Sequence, residues 1–120
     1  MDLSTHVLSD RTVCRVSGKV DIFTTYALRE YLLAALDRPG RRLLVDLSGV
    51  TFVDSSGLGV LVFIRRMAMR RGGTLLLLAP TRYLRRLLTA SGLAATFAVS
   101  PRLVNPPSGR TGARDPMRSL

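Results

Sequence analysis

The sequence predicts an α/β fold, because a buried strand, a long helix and a second buried strand follow one another within residues 43–79. Segment 43–47 is apolar except for one aspartate, segment 56–71 contains no helix breaker in its interior, and segment 74–79 is again apolar. A strand, a helix and a strand in this order form a βαβ unit. Since such units have a right-handed crossover, we expect two parallel strands with the helix packed on one face of the sheet.

The chain ahead of this unit predicts a pair of strands and a helix. Strands at 5–8 and 12–16 are joined by the turn-like segment 9–11, and residues 17–21 then break the strand pattern. Thr24 or Thr25 is placed to cap a helix with apolar residues at three- and four-residue spacing. We expect Pro39-Gly40 to stop that helix.

The chain after the unit predicts one more helix, one short strand and a tail. The helix begins near Thr81 and ends at Ser91-Gly92, and the strand covers 97–99. Beyond residue 100 the composition shifts to proline, serine, glycine and arginine, which offers too little apolar surface to order a chain. We therefore expect a single domain over residues 1–100 and a flexible basic tail over 101–120.

The composition favours a cytosolic globular protein. The chain has 120 residues, of which 47% are hydrophobic, and arginines interrupt its longest apolar run before the roughly 18 residues that would span a bilayer. The N-terminus does not resemble a signal peptide. The formal charge of +10 would suit nucleic acid, but the arginines are dispersed and do not alternate with aromatic residues. We expect solvated or acidic-partner faces, and neither direct nucleic-acid binding nor membrane insertion.

Cysteine and histidine are too few for metal or redox chemistry. The one cysteine, Cys14, lies in a predicted strand and is expected to be a buried, inert thiol. The one histidine is His6, near the N-terminus. No metal site and no cofactor are expected.

The tetrapeptide Asp54-Ser55-Ser56-Gly57 marks the junction between the first buried strand and the long helix. One interpretation is structural: Asp54 or Ser55 caps the helix by accepting hydrogen bonds from amides of its first turn. The other is functional, because binding sites of α/β sheets lie beyond the carboxyl ends of strands. Gly57 and Gly59 also weaken a helix, which suggests close approach by another group. A phosphate on a serine here would be stabilised by the helix N-terminus.

A catalytic serine is the rival hypothesis for this junction, and the sequence argues against it. Neither His6 nor the sole lysine, Lys19, stands in a serine-hydrolase motif. Val53 occupies the position where a nucleophile elbow requires glycine. No phosphate-binding P-loop occurs either.

The long helix predicted at 56–71 is apolar around most of its circumference, with Gly59, Arg66 and Arg70 as a polar stripe. It is either a largely buried helix or a docking surface for a partner. In the second case Gly59 allows close access, Phe63 and Met69 supply apolar contact, and Arg66 and Arg70 attract an acidic partner.

The segment 46–61, Asp-Leu-Ser-Gly-Val-Thr-Phe-Val-Asp-Ser-Ser-Gly-Leu-Gly-Val-Leu, resembles the signature of bacterial anti-sigma factor antagonists, which are STAS-domain proteins. Residues 18–21 resemble a second family hallmark, and the resemblance extends over residues 3–99. It implies a mixed sheet of four to five strands flanked by helices, and no catalysis. In the family the unphosphorylated antagonist binds an anti-sigma factor with serine kinase activity and so releases the sigma factor. Phosphorylation abolishes that binding, and a serine phosphatase restores it.

The resemblance implies a role for particular residues. Ser55 is the phosphorylation site and Asp54 and Ser56 are its neighbours, while the docking turn contains the glycines at 57 and 59. Asp21, on the adjacent loop, is a partner contact. Lys19 departs from the family pattern, which usually has an acidic or neutral residue there. An alternative is a non-switching STAS module that acts as a scaffold or as a sensor of a small ligand or nucleotide. The sequence names neither the sigma factor nor the activating stress, and it leaves the oligomeric state open.

Overall fold

A computed structural model describes residues 1–38 and 41–101, which form one mixed α/β layer structure. The elements are, in chain order, β1 (Asp2–Val7), β2 (Arg11–Val20), α1 (Thr25–Leu36), β3 (Arg42–Val53), α2 (Ser55–Arg70), β4 (Thr74–Leu78), α3 (Arg82–Ala90) and β5 (Ala98–Ser100). This arrangement confirms the predicted α/β class. The tail predicted at 101–120 lies, apart from its first residue, outside the described residues, as does the helix stop predicted at Pro39-Gly40.

The strands form one sheet in the order β1-β2-β3-β4-β5. β1 pairs with β2 in antiparallel fashion, and every later neighbour pairs in parallel. The predicted N-terminal strand pair and the predicted βαβ unit are therefore both confirmed. Because the parallel strands all end at the same edge, that edge gathers the loops that lead into the helices.

One hydrophobic cluster joins the three helices to one face of the sheet. The cluster includes one fully buried side chain from each helix, and these pack with Val45 of β3: Leu32 of α1, Ile64 of α2 and Leu84 of α3. The apolar spacing that predicted the helices thus corresponds to their buried sides. α1 and α2 pack directly on each other, whereas α3 packs mainly on β3.

The aspartate in the buried strand has partners. Asp46 is 7% exposed, and its Oδ1 accepts hydrogen bonds from the Ser48 amide at 2.9 Å and the Ser48 hydroxyl at 2.7 Å. Arg15 on the neighbouring strand adds an ion pair at 3.9 Å. Buried polar groups are stable when satisfied in this way, so a carboxylate is compatible with a strand buried on both faces.

Strands β2 and β3 continue well past the ends that the sequence predicted, and β1 begins at Asp2, before its predicted start. Segment 17–21 was expected to break the strand pattern, but β2 continues through Gly18 to Val20, with a positive φ of 88° at Gly18 and register shifts on both sides of Ser17-Gly18. β3 likewise continues to Val53, beyond the predicted strand at 43–47. Pairing between the two strands, reached through bulges, outweighs the local turn signals.

The boundaries of α2 and α3 agree with the prediction to within about one residue, whereas α1 ends at Leu36, before the predicted stop, and differs in detail at its start. Thr24 occupies the N-cap position, but its side chain makes no capping hydrogen bond. Its hydroxyl instead accepts from the Asp21 amide at 2.9 Å. The predicted threonine cap is therefore wrong in detail, because the hydroxyl closes the turn that leads from β2 into the helix. Gly72, with a φ of 73°, follows the C-cap residue Arg71 of α2, which agrees with the helix end predicted at residue 71.

Candidate functional site

The junction between β3 and α2 lies beside the loop that follows β2. Val20 pairs with Val53 at the ends of the two parallel strands, and the Asp54 amide donates to the Val20 carbonyl at 3.2 Å. The sheet therefore brings together two segments that are more than thirty residues apart in sequence, the loop that begins at Asp21 and the turn that carries Ser55.

Asp54 caps α2. Its Oδ1 accepts hydrogen bonds from the Ser56 amide at 3.0 Å and from the Gly57 amide at 3.1 Å, and the Ser56 hydroxyl donates to the same oxygen. The Ser56 hydroxyl, more than the two amides, holds the pKa of the Asp54 carboxyl below its ordinary value. Of the two caps that the sequence allowed, the structure selects Asp54 and leaves Ser55 without that role.

Removing the Asp54 cap is expected to change the pH dependence of stability. A carboxyl with a depressed folded-state pKa contributes fully above its unfolded-state pKa, and the contribution is lost as the pH falls through the folded-state pKa. We therefore expect Asp54→Ala to lower the thermal midpoint at pH 7, and the deficit to shrink in strongly acidic solution. Thermal unfolding followed by circular dichroism from pH 7 to pH 2 measures both. Asp2→Ala, at an exposed position on β1, is the control, and a deficit that stayed constant over this range would contradict the cap.

The two serines of the junction differ in accessibility. The Ser56 side chain is half-buried and its hydroxyl is engaged with Asp54. Ser55 is exposed, and within residues 1–38 and 41–101 its hydroxyl makes no hydrogen bond. An enzyme that modifies this junction therefore reaches Ser55 without breaking an existing contact, whereas modification of Ser56 would disturb the helix cap.

The two glycines in the first turns of α2 lie in different surroundings. A Cβ on Gly57 would lie 2.8 Å from a Cγ of Val20 and 2.8 Å from a Cγ of Val53, so the buried Gly57 lets α2 pack closely on the strand ends. A Cβ on Gly59 would meet nothing within 4 Å. The chain itself thus accounts for the close approach at Gly57, while the exposed Gly59 leaves its backbone open to another molecule.

Gly59 and Phe63 line two open grooves, one on each side of α2. The α1-side groove has a volume of about 400 Å³ and is lined by residues that include Thr25, Tyr26, Arg29, Ser56, Gly59 and Phe63. The α3-side groove has a volume of about 430 Å³ and is lined by residues that include Ser55, Gly59, Phe63, Arg66, Ser91 and Leu93. Ser56 lines the α1-side groove and Ser55, the predicted phosphorylation site, lines the α3-side groove, so the two serines lie on opposite sides of the helix.

The polar stripe predicted on α2 is exposed. Gly59, Arg66 and Arg70 are exposed, whereas Phe63 is half-buried and its ring lies 4.7 Å below the guanidinium of Arg29 from α1. This cation–π contact joins the two helices at the floor of the α1-side groove. α2 is therefore both a core helix, through Leu61 and Ile64, and a helix with one open side.

The loop that follows β2 holds Asp21 in a hydrogen-bonded turn. Its Oδ1 accepts from the Phe23 amide at 2.9 Å, and its carbonyl accepts from the amides of Thr24 and Thr25, each at 3.0 Å. The Asp21 carboxylate therefore shapes the loop, and its role as a partner contact stays a prediction.

Sequence reasoning missed three residues beside Asp21. Ile22, Phe23 and Tyr26 are large apolar side chains with exposed fractions of 69%, 91% and 72%. A signal was present in the sequence: Ile22 and Phe23 lie in neither the strand pattern nor the helix pattern, and Tyr26 is off the apolar side of α1. Large apolar residues outside every predicted core position mark a candidate contact surface.

Other candidate groups lie away from this edge. Cys14 is a free, fully buried thiol whose pKa is raised by burial, as expected for an inert cysteine. Within the described ranges, no three side chains of His, Cys, Asp or Glu come together as a metal site would need, and the absence of a metal stays a prediction. No helix in the described part of the chain is both long and apolar enough to cross a membrane.

The fold and the site define a class of protein, a mixed α/β domain with an accessible serine at the start of a helix that lines open grooves. The chain belongs to the STAS domain family, whose sequence model matches residues 2–105. Within that family it is related to the bacterial anti-sigma factor antagonists, as the sequence resemblance predicted. An anti-sigma-B factor antagonist of Bacillus subtilis (strain 168) is 32% identical over 87 residues, which are 72% of this chain and 79% of the relative.

Solved structures of antagonists share the fold. An anti-sigma factor antagonist from Mycobacterium paratuberculosis is 28% identical and superposes with a TM-score of 0.76, covering 85% of this chain and 86% of its own. The Bacillus antagonist SpoIIAA is 22% identical and gives TM-scores of 0.70 in its unphosphorylated form and 0.64 in its phosphorylated form. Those matches cover 82% of this chain and 88% and 91% of SpoIIAA, and at this identity they show the fold alone.

Proposed function

We propose that this protein is a phosphorylation-controlled antagonist of an anti-sigma factor. In its unphosphorylated form it binds an anti-sigma factor that is also a serine kinase, and the sigma factor is thereby released. Phosphorylation of Ser55 ends the binding and a serine phosphatase restores it. The protein acts by binding and performs no catalysis, and the proposal places it in the cytoplasm, where sigma factors act on transcription.

The single observation that carries the proposal is the contrast between the two adjacent hydroxyls. Ser55 is exposed and unengaged in the described chain, while Ser56 is bonded to the cap of α2. Two further observations support it: the open backbone at Gly59, one turn along the helix, and the similarity of the chain to anti-sigma factor antagonists in sequence and in structure.

A phosphate on Ser55 would act through its charge at the contact surface. It adds about −1.5 to −2 charges at neutral pH, next to the Asp54 carboxylate. The amides of Ser56 and Gly57, which a phosphate would otherwise use, already donate to Asp54. The added charge is therefore directed toward the partner, where burying it without a counter-charge opposes binding by repulsion and desolvation. The domain itself has no need to refold.

The proposal predicts phosphate on one serine. Each anti-sigma factor kinase encoded in the source genome is purified and incubated with this protein and ATP, and the product is mapped by peptide mass spectrometry. We expect one phosphate, on Ser55, with no phosphorylation of Ser55→Ala and continued phosphorylation of Ser56→Ala. In titrations without ATP, Ser55→Ala should bind that kinase with the same affinity as the wild type.

Two outcomes would contradict the proposal. Phosphate on Ser56 or on a serine outside the junction would remove the role of Ser55. A kinase that binds the protein firmly but never modifies it would favour the alternative of a non-switching STAS scaffold or ligand sensor. In that case binding should not change after incubation with ATP.

A further inference from the structure

The most exposed large apolar side chain in the described residues belongs to a turn that is held firmly. Phe23 is 91% exposed, yet its amide donates to Asp21 Oδ1 at 2.9 Å and the following two amides donate to the Asp21 carbonyl. The Thr24 hydroxyl closes the same turn through the Asp21 amide at 2.9 Å. The backbone that presents the Phe23 ring is already ordered, so it loses little conformational entropy when the ring enters a partner's pocket, which favours a binding role.

Phe23 is continuous with the proposed contact surface. Ile22 and Tyr26 are exposed next to it, and Tyr26 lines the α1-side groove together with Gly59 and Phe63. The pairing of Val20 with Val53 places this loop beside the junction that carries Ser55. A molecule that covers Gly59 in the α1-side groove therefore also meets the side chains that follow Asp21.

The charges around this surface indicate the chemistry of the partner. Arg29 lines the same groove, while Arg66 and Arg70 are exposed along α2. Neither Arg66 nor Arg70 forms an ion pair with any residue in 1–38 or 41–101. Arg29 lines the α1-side groove and Arg66 lines the α3-side groove, so guanidinium groups lie on both sides of the exposed face of α2. Together with the exposed apolar side chains of the loop that follows β2, they fit a partner with an apolar pocket bordered by carboxylates.

We propose that Ile22, Phe23 and Tyr26 form an apolar anchor, and that Phe23 inserts into an acid-rimmed apolar pocket of the anti-sigma factor kinase. The inference rests on the proposed function and adds to it a second, separate point of attachment. Ser55 opens into the α3-side groove, whereas the apolar anchor borders the α1-side groove. The apolar anchor thus contacts the kinase in the stable complex and also while the kinase phosphorylates Ser55. Ser55 alone switches the affinity.

Truncation of Phe23 tests the apolar anchor. We expect Phe23→Ala to weaken binding of the purified kinase about thirtyfold, which is typical of a central aromatic contact. The KM for phosphorylation of Ser55 should rise with it while kcat stays near the wild-type value, because the chemistry at Ser55 is untouched. Isothermal titration calorimetry and steady-state phosphorylation measure the two effects. Phe23→Leu keeps apolar bulk, so its affinity and its KM should lie between those of the wild type and those of Phe23→Ala.

The control is Val7→Ala, an exposed apolar residue at the opposite end of the sheet. Val7 is 45% exposed and ends β1 next to Thr12, where β2 begins. It should leave both binding and KM unchanged, and both variants should keep the wild-type thermal midpoint because the truncated side chains are exposed. If the wild type binds and Phe23→Ala binds within twofold of it, the apolar anchor is refuted and the proposed function stands. If the wild type binds no anti-sigma factor kinase, the proposed function fails and the apolar anchor fails with it.

Discussion

Ser55→Asp is expected to weaken binding of the anti-sigma factor kinase about a hundredfold, because a fixed charge then lies where the partner must pack. Like charges placed together at an interface cost several kcal/mol, and about 2.7 kcal/mol corresponds to a hundredfold change. Folding should be almost unaffected. Position 55 is the first residue of α2 and is exposed, and a negative charge there is favourable with respect to the helix dipole.

The measurement pairs titration calorimetry with thermal unfolding of the same samples. Ser9→Asp is the matched control, since Ser9 is exposed in the turn between β1 and β2 and lies far from the junction along the sheet. It adds the same charge and should not change the affinity. A loss of affinity accompanied by an equal loss of stability would instead show that the charge disrupts the helix start, and the switch would then be a folding effect.

Alanine at Gly57 and at Gly59 is expected to have opposite effects on stability. Gly57→Ala places a methyl group 2.8 Å from side-chain carbons of Val20 and Val53, and overpacking of this kind costs about 1–3 kcal/mol. Gly59→Ala meets only open space, so it should raise stability by about 0.5–1 kcal/mol through better helix propensity. The same methyl group should weaken kinase binding about tenfold, because it blocks close approach to the backbone.

Urea denaturation and kinase titration separate these effects. Each glycine serves as the control for the other: Gly57→Ala tests packing within the domain, and Gly59→Ala tests the outer surface. A Gly59→Ala protein that is more stable and binds as well as the wild type would remove Gly59 from the contact surface. Equal destabilisation by both substitutions would mean that both glycines serve the fold.

The fold was largely predictable because its elements carry strong local patterns. Segments 43–47 and 74–79 are apolar strands, and the breaker-free segment between them is helical, so the βαβ unit follows from short-range signals. The full lengths of β2 and β3 were not predictable. Their extensions, 17–20 and 48–53, contain the glycines and serines of a turn, and only mutual pairing through bulges makes them strands.

The site was predictable in position but not in the division of roles among its residues. The junction at 54–57 and the exposed stripe on α2 follow from sequence, because glycines at a helix start are costly and therefore carry a signal. Which side chain caps the helix depends on rotamers and on the course of the backbone after Val53. The exposure of Phe23 depends on a turn closed by Asp21 and Thr24, which no periodic pattern reveals.

The sequence by itself therefore determined the α/β class, the resemblance to anti-sigma factor antagonists and the place of the serine pair. The tertiary structure decided that Asp54 holds the helix, that Ser56 supports Asp54 and that Ser55 is left accessible. It also showed that Gly57 is needed for packing within the domain whereas Gly59 faces open space, and it placed the loop with Phe23 at the same edge of the sheet as the serine pair. The physical reason is that a local pattern records which residues avoid water, whereas accessibility and hydrogen bonding depend on neighbours that are distant in sequence and meet only through strand pairing.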